Sequence, residues 1–540
     1  MRPLRPPLPV LMPAPRTLRH TALPPGSGRA LQLAARAAVL RWDHALRNVR
    51  EVQLAQLRHI LERGRYTEFG RAHGFSDIKS EVDFRRAVPI GDYDSFSPYI
   101  ERMRRGERGL LVPEFIEYFG NSSGSSSGGR SKFLPISDEQ VKLQRSSGTD
   151  ALFRFLRHDG TTDFARGFSL GLFPPTTMKQ EGPVKVTSNP ALMVAKMPSA
   201  SKLVYLPQGD ILSVSDYDQK LTMIADQYLD HDIRLISGTT CWFSLMFDKL
   251  LERARLHGRK ADVVTDIWPN LTVLVGGGVA AGPYLGVIRE RVGKDVPLVD
   301  TYNATEGGIY ASTDHARPGP GLLMLPHRGT YFEFVPVEEV GAKNPTRYPL
   351  WEVERDRIYA IVVTTVSGLY AYLLGDLVRF PSVNPHRIEF AGRLSGCLST
   401  TQELTTHVEI QEAVAAALAE IGGTAVDFTA GADVGVDGSA KSRYVLFAEF
   451  TDTPRDLAAF ARTFDRVLGE KNRVYREHRT DNAAILPPEF VVLPPGSVAR
   501  FMQDIGNTSV QSKFPRIVDD GRRDILRRYG GRSVLSGAPA

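Results

Sequence analysis

From residue 29 to 63 apolar residues recur at helical spacing with no internal Gly or Pro, which predicts one long helix or two. Residues 64–115 are mixed, with helical pieces at 79–85 and 94–105, and a further helix is expected over 138–158. Short apolar runs then alternate with helical ones. "ARGFSLGLF", "IRLISGTT", "LTVLVGGG" and "VPLVDTYN" read as strands, and "CWFSLMFDKLLERARLHG" reads as a helix. Such alternation means an α/β chain with buried sheets. From 329 to 392 the pattern turns to strand throughout. After Arg393 it starts afresh: a helix over 405–421 with Ile410, Val414 and Leu418 on one face, strands at "AVDFTAG" and "RYVLFAEF", and a long helix over 454–479. The expected division is an N-terminal domain over 29–392 and an α+β C-terminal domain over 393–535, a normal domain size.

Composition changes this picture little. The chain has 540 residues, 42% hydrophobic and 24% charged, as soluble globular proteins do. No apolar run reaches the length of a membrane-spanning helix. Two cysteines, Cys241 and Cys397, stand in no metal-ligand spacing, so a reducing compartment fits, and a cytoplasmic location is expected. The net charge of +6 is local: residues 1–42 hold seven arginines and no acid, and removing those seven leaves 60 basic against 61 acidic residues. A nucleic-acid-binding surface is therefore not indicated. Residues 1–28 are rich in Pro and Arg and read as a disordered extension, either a targeting segment or a start placed too early.

Candidate chemistry begins in "FIEYFGNSSGSSSGGRSKFLPIS", residues 115–137. Gly124, Gly129, Arg130 and Ser131 stand one residue away from a Walker A loop, with Arg130 in the lysine slot. Pro135 argues against the helix that such a loop needs, and a guanidinium is no substitute for the compact lysine charge. A flexible linker fits poorly between two apolar, strand-like flanks. A third reading is a phosphate cradle of another kind, in which small residues turn tightly and offer N–H and hydroxyl groups, with Lys132 beyond them. Three other stretches bear on the choice: "DTYNATEGGIYAS" at 300–312, "GLYAYLLGDLVRF" at 368–380 and "SVQSKFPRIV" at 509–518. A Tyr, a Thr and a Glu after a buried strand suit a base, a phosphate and Mg²⁺, and an Asp beside a tight Gly turn suits ribose hydroxyls. Each of these alone is also compatible with an ordinary turn or a solvated charge.

Taken together and in this order, the motifs resemble the GH3 family of acyl-acid amido synthetases, in the adenylate-forming superfamily. The opening "YTEFGRAHGFSDIKSEVDFRRAVPIGDYDSFSPYIERMRRGE" at 66–107 adds to the resemblance, with "YFEFVPV", "EFAGR" and "NRVYREHR". The resemblance covers residues 40–520 and implies a large N-terminal adenylate-forming domain of mixed sheets flanked by helices, with a small β-barrel-like part. A smaller mobile α+β C-terminal domain would follow. It also implies ATP with Mg²⁺ and, as substrates, a carboxylic acid and an amine such as an amino acid. By the same resemblance Ser123, Gly124, Ser125, Ser126 and Lys132 would meet the ATP phosphates. Tyr302, Ala304 and Thr305 would meet the nucleotide, and Glu306 would hold the metal. Asp376 would bind the ribose, Arg393 precedes the hinge, and Lys513 would reach the active site during adenylation. Arg145, on the helix after the loop, would pair with a substrate carboxylate or serve as a plain surface arginine.

The sequence departs from the family pattern in places. The loop has one residue more between Gly124 and Lys132, Ala371 and Leu373 stand where the family has arginines, Leu404 replaces a lysine, and His407 stands where a Glu is expected. His407 and Cys397 are read as structural. Two alternatives therefore stay open: a ligase that passes the acyl group to a thiol such as coenzyme A, and a nucleotide-binding homologue without turnover.

Overall fold

The computed structural model describes residues 27–536 apart from 123–131, 174, 215, 279–280, 395–396, 399, 401–404, 435, 437–440, 473–474, 477–478, 483–484 and 506–513. The expectation for the N-terminal extension thus falls almost wholly outside the described residues. The first amphipathic stretch forms two helices, α1 (Ser27–Arg47) and α2 (Val49–Gly64). They part at Asn48, whose φ of −123° and ψ of 44° leave the helical region while its side-chain amide donates to the His44 carbonyl at 2.9 Å. Three short helices follow: α3 (Glu68–Ala72), α4 (Glu81–Ala87) and α5 (Tyr93–Arg104). Capping boxes start the last two, Ser80 with Asp83 and Asp92 with Ser95.

The glycine–serine segment is bracketed by β1 (Tyr118–Ser122) and β2 (Lys132–Ile136), antiparallel, with Ser122 opposite Lys132. Pro135 lies in β2 facing Phe119, so a strand follows the segment where a Walker A loop would have a helix. β2 is an edge strand, where the missing proline N–H costs no ladder bond. Only then does α6 (Asp138–Asp159) begin, capped by Ser137.

The chain continues through β3 (Phe168–Leu172), β4 (Met178–Glu181), β5 (Val184–Thr187), α7 (Asn189–Ala195), α8 (Ser199–Lys202), β6 (Tyr205–Leu206), α9 (Tyr217–Tyr228), β7 (Ile233–Gly238) and α10 (Thr240–Leu256). It then forms β8 (Val273–Gly277), α11 (Gly282–Val292), β9 (Leu298–Ala304), β10 (Gly308–Ser312), β11 (Leu322–Met324), β12 (Thr330–Pro336), β13 (Tyr348–Pro349), β14 (Ile358–Thr365), β15 (Tyr372–Val383) and β16 (His386–Arg393). A four-stranded sheet runs β2-β1-β5-β4, and a twelve-stranded sheet runs β13-β12-β14-β15-β16-β11-β10-β9-β8-β7-β3-β6. In the larger sheet β6, β3, β7, β8 and β9 are parallel and every pairing from β9 to β13 is antiparallel. The strand-rich stretch from 329 to 392 forms part of the antiparallel half of this continuous sheet.

Burial explains the parallel half. Phe243, Met246, Phe247, Leu250, Leu251 and Ala254 of α10 follow the i, i+3, i+4, i+7 pattern and are buried with Ile224 of α9 and Leu274 of β8. A buried ionic network ties the other face together: Arg154 of α6 donates to Asp314 at 2.8 and 3.0 Å and to Asp43 of α1 at 2.9 Å, and Arg387 of β16 reaches the same Asp314.

Beyond Arg393 the chain forms β17 (Cys397–Leu398), β18 (Thr405–Thr406), α12 (His407–Ile421), β19 (Thr424–Val434), β20 (Ser442–Asp452), α13 (Leu457–Lys471) and β21 (Ile485–Val492). Two helices, α14 (Ser497–Asp504) and α15 (Asp520–Arg528), lead to β22 (Arg532–Leu535). A separate sheet runs β19-β20-β21-β22, with α12 and α13 sharing its core. The helix expected over 454–479 is shorter. Asp456 caps its start, and Asn472 turns extended at φ −116° and uses its side-chain oxygen to accept the Tyr475 N–H at 2.9 Å. Among the described residues no helix is long and apolar enough to cross a membrane.

Candidate active site

β9 is the last parallel strand of the large sheet and β10 the first antiparallel one, joined by a turn of three residues, Thr305, Glu306 and Gly307. The Tyr302–Glu306 motif thus sits at the carboxyl end of a buried strand, where α/β sheets place ligands. Across the sheet, β15 carries a bulge: Leu373 pairs with Val362 and Leu377 with Ala360, so Leu374, Gly375 and Asp376 oppose a single residue of β14. Gly375 takes φ +88°, a conformation L side chains disfavour, and the bulge turns Asp376 toward the end of β9.

Asp376 then organises its neighbours. The Tyr302 hydroxyl donates to its Oδ2 at 2.7 Å, and Nε of Arg393 meets its Oδ1 at 2.9 Å from the facing position on β16. Each oxygen keeps a second lone pair for a further donor. Glu306 is buried beside this group. Burial pushes its carboxyl up to about 7 and the Asp376 charge adds to this, while its own backbone N–H, Lys132 and Arg393 oppose it. Burial likewise drives the phenols of Tyr302 and Tyr310 well above their ordinary value. The site is therefore an alternation of carboxylates and cations, suited to a polyanion with hydroxyls.

The structure brings together seven of the expected residues: Lys132, Tyr302, Ala304, Thr305, Glu306, Asp376 and Arg393. Arg145 has a different partner. It lies on α6, and its guanidinium donates to the carbonyl of Lys196, the C-cap of α7, at 2.5 Å. A cation there complements the negative end of that helix. Ser123, Gly124, Ser125, Ser126 and Lys513 lie outside the described residues, as does Leu404.

Some residues of the site were not singled out from the sequence. Gln140 is buried in the first turn of α6 and donates through Nε2 to the Thr305 carbonyl at 3.0 Å, holding the Thr305–Gly307 turn. Its signal was Ser137-x-x-Gln140, which has the form of a capping box; the Ser137 hydroxyl does accept the Gln140 N–H at 3.1 Å, but the amide turns to the site instead. Tyr310 and Tyr372 carry buried hydroxyls with no hydrogen-bond partner among the described residues, and the Glu306 charge acts on both. No sequence signal marks these two, since both read as ordinary strand aromatics.

The donor set fits a nucleotide-borne magnesium ion. Among the described residues no group of three or more His, Cys, Asp or Glu is arranged to hold a metal, and Glu306 is a buried carboxylate with cations nearby. Mg²⁺ is typically bound by one or two carboxylates plus substrate phosphates rather than by a protein cage.

The models of the GH3 family N-terminal, central and C-terminal domains match residues 39–225, 322–393 and 408–522. An indole-3-acetic acid-amido synthetase of Arabidopsis thaliana is 24% identical over 550 residues, covering 88% of this chain and 90% of that one. A jasmonoyl–L-amino acid synthetase of Nicotiana attenuata is 26% identical over 464 residues, covering 74% and 78%. The solved structure of the acyl acid amido synthetase AtGH3.15 in complex with 2,4-DB superposes with a TM-score of 0.71 at 22% identity, covering 94% of this chain and 99% of that one. The chain belongs to the GH3 family of acyl-acid amido synthetases.

Proposed function

We propose that this protein is an ATP-dependent ligase that joins a carboxylic acid to an amine, an amino acid for preference, through an acyl-adenylate. A carboxylate is a poor electrophile, and AMP turns its oxygen into a leaving group. In the first step a carboxylate oxygen attacks the α-phosphorus of ATP and pyrophosphate leaves. In the second an amine attacks the acyl carbon, AMP departs, and the amine proton passes to solvent. No protein nucleophile is required.

The observation that carries the reading is the Tyr302–Asp376–Arg393 group beside buried Glu306 and Lys132 at the end of β9. Asp376 accepts the ribose hydroxyls and Tyr302 lines the base end. Ala304 and Thr305 border the nucleotide, and Lys132 offsets phosphate charge. Ser123, Gly124, Ser125 and Ser126 are assigned to the phosphates and Lys513 to the adenylation step. When bound, Mg²⁺ would screen the triphosphate, with Glu306 as its protein ligand. Arg145 is assigned to the acid's carboxylate only if it leaves the Lys196 carbonyl. The 29–392 and 393–535 units are read as the fixed and the rotating domain, and the protein as cytoplasmic.

The test is incubation with ATP, Mg²⁺ and panels of aryl, indolyl and aliphatic acids, following acid-dependent pyrophosphate release and then AMP release on adding amino acids. Amino-acid-dependent AMP release supports the reading. AMP release with coenzyme A alone would reassign the acceptor to a thiol. ATP binding with no pyrophosphate under any acid would leave a nucleotide-binding homologue.

A further inference from the structure

The opening segment 66–107 is the part of the motif set that the nucleotide contacts do not account for. Its middle, at the start of α5, touches both halves of the site. On one side, Gly91 donates its N–H to the Ala371 carbonyl at 3.1 Å and accepts the Leu373 N–H at 2.8 Å, forming a bridge to the head of β15, the strand of Asp376. On the other, the Tyr93 hydroxyl accepts the N–H of Phe133 at 3.0 Å, and Nζ of Lys132 stands 5.8 Å from the Tyr93 ring centroid. Between them, the Asp92–Ser95 capping box fixes the backbone on which Tyr93 sits. Eleven residues after Tyr93, the Arg104 guanidinium lies 3.9 Å from the centre of the Phe133 ring, held by Glu101 at 2.7 Å and Glu181 at 2.5 Å.

The physical need for this is clear from topology. β2 is an edge strand, so its outward N–H groups must find partners off the sheet. β1 and β2 also belong to a different sheet from β15, so no ladder hydrogen bond sets Lys132 relative to Asp376. The turn from Gly91 to Tyr93 supplies that link in three residues.

We propose that Tyr93 is a positioning residue for the triphosphate end of the nucleotide site. It fixes the head of β2, and with it Lys132, at a set distance from the ribose end held by β15. This rests on the nucleotide reading above. Its hydroxyl does so by accepting the Phe133 N–H, and its ring by facing the ammonium group. The two parts are separable, because phenylalanine keeps the ring and alanine keeps neither.

The experiment measures ATP and AMP affinity by calorimetry for the full-length protein and for Tyr93→Phe and Tyr93→Ala, with the KM for ATP and kcat of pyrophosphate release alongside. ATP affinity should fall about threefold in Tyr93→Phe and about tenfold or more in Tyr93→Ala, the KM for ATP rising in parallel. AMP, which lacks the β- and γ-phosphates, should bind each variant within about twofold of the original, since its contacts lie at the ribose end. Equal loss of ATP and AMP affinity would mean that Tyr93 only supports the fold and would overturn the proposal, as would no loss of either. If Tyr93→Ala does not fold, Tyr93→Phe carries the same comparison. Failure of the unmodified protein to bind ATP would instead remove the nucleotide reading itself.

Discussion

Asp376 concentrates more of the site than any other described side chain, since both of its oxygens are already oriented by Tyr302 and Arg393. Asp376→Ala should weaken ATP binding by about 1–3 kcal/mol through lost ribose hydrogen bonds, measured by calorimetry. Unchanged affinity would move the ribose elsewhere. Lys513 is predicted to behave differently, because its assigned work is in the transition state of adenylation. Lys513→Ala should slow acid-dependent pyrophosphate release about tenfold or more and leave ATP affinity nearly intact, the pattern of an interaction made only in the transition state. A rate equal to that of the unmodified protein would remove the assignment. At this scale the sequence singles out residue types that are chemically committed, as with Glu306, Asp376 and Lys132. It was uninformative for Gln140 and Tyr93, whose roles come from which carbonyl or N–H the fold puts within reach.

Among the elements, α12 carries a testable charge. Glu409 is the third residue of its capping box, accepting the Thr406 N–H at 2.7 Å and the Thr406 hydroxyl at 3.0 Å. Burial pushes its carboxyl up to about 7 from 4.5, against those hydrogen bonds. The unfolded chain therefore releases this proton near 4.5 and the folded one only near 7. Between those values the unfolded state binds fewer protons, so rising pH costs stability, and above about 7 the loss is complete. Glu409→Gln keeps an acceptor and cannot ionise. Urea midpoints at pH 5, 6, 7 and 8 should show the variant gaining on the original protein by up to about 3 kcal/mol across that window. A difference that does not change with pH would mean that Glu409 titrates normally. The same helix shows what periodicity reveals: Ile410 and Val414 are buried and Leu418 packs against them, as their spacing predicts. The end of α13 was not legible in this way, because Asn472 stops it by bonding the Tyr475 N–H rather than by a Gly or Pro signal.

For the whole molecule the joint after β16 is the sensitive place. Gly392 has φ +137°, and a Cβ there would meet the Thr406 Cβ at 3.3 Å and the His407 Nδ1 at 3.4 Å. This is where the large sheet touches the head of α12. On the proposal that the C-terminal unit rotates between adenylation and amide formation, Gly392→Ala should change the two half-reactions unequally. Separate timing of acid-dependent pyrophosphate release and amine-dependent AMP release would show it. Equal slowing of both, with a lower melting temperature, would indicate a plain folding defect.

The sequence by itself determined the α/β class and most of the helices and strands. These are local properties: periodicity reports burial within one element, and a motif keeps its chemistry wherever it lands. Tertiary structure alone decided that β9 and β10 join a parallel and an antiparallel half into one sheet, and that a bulge at Gly375 aims Asp376 at Tyr302. It also decided that Gln140 and Tyr93 bind the site's backbone while Arg145 caps α7. Those facts depend on contacts between residues as far as 165 positions apart, as Gln140 and Thr305 are, and no one-dimensional pattern carries which distant backbone group a side chain will meet.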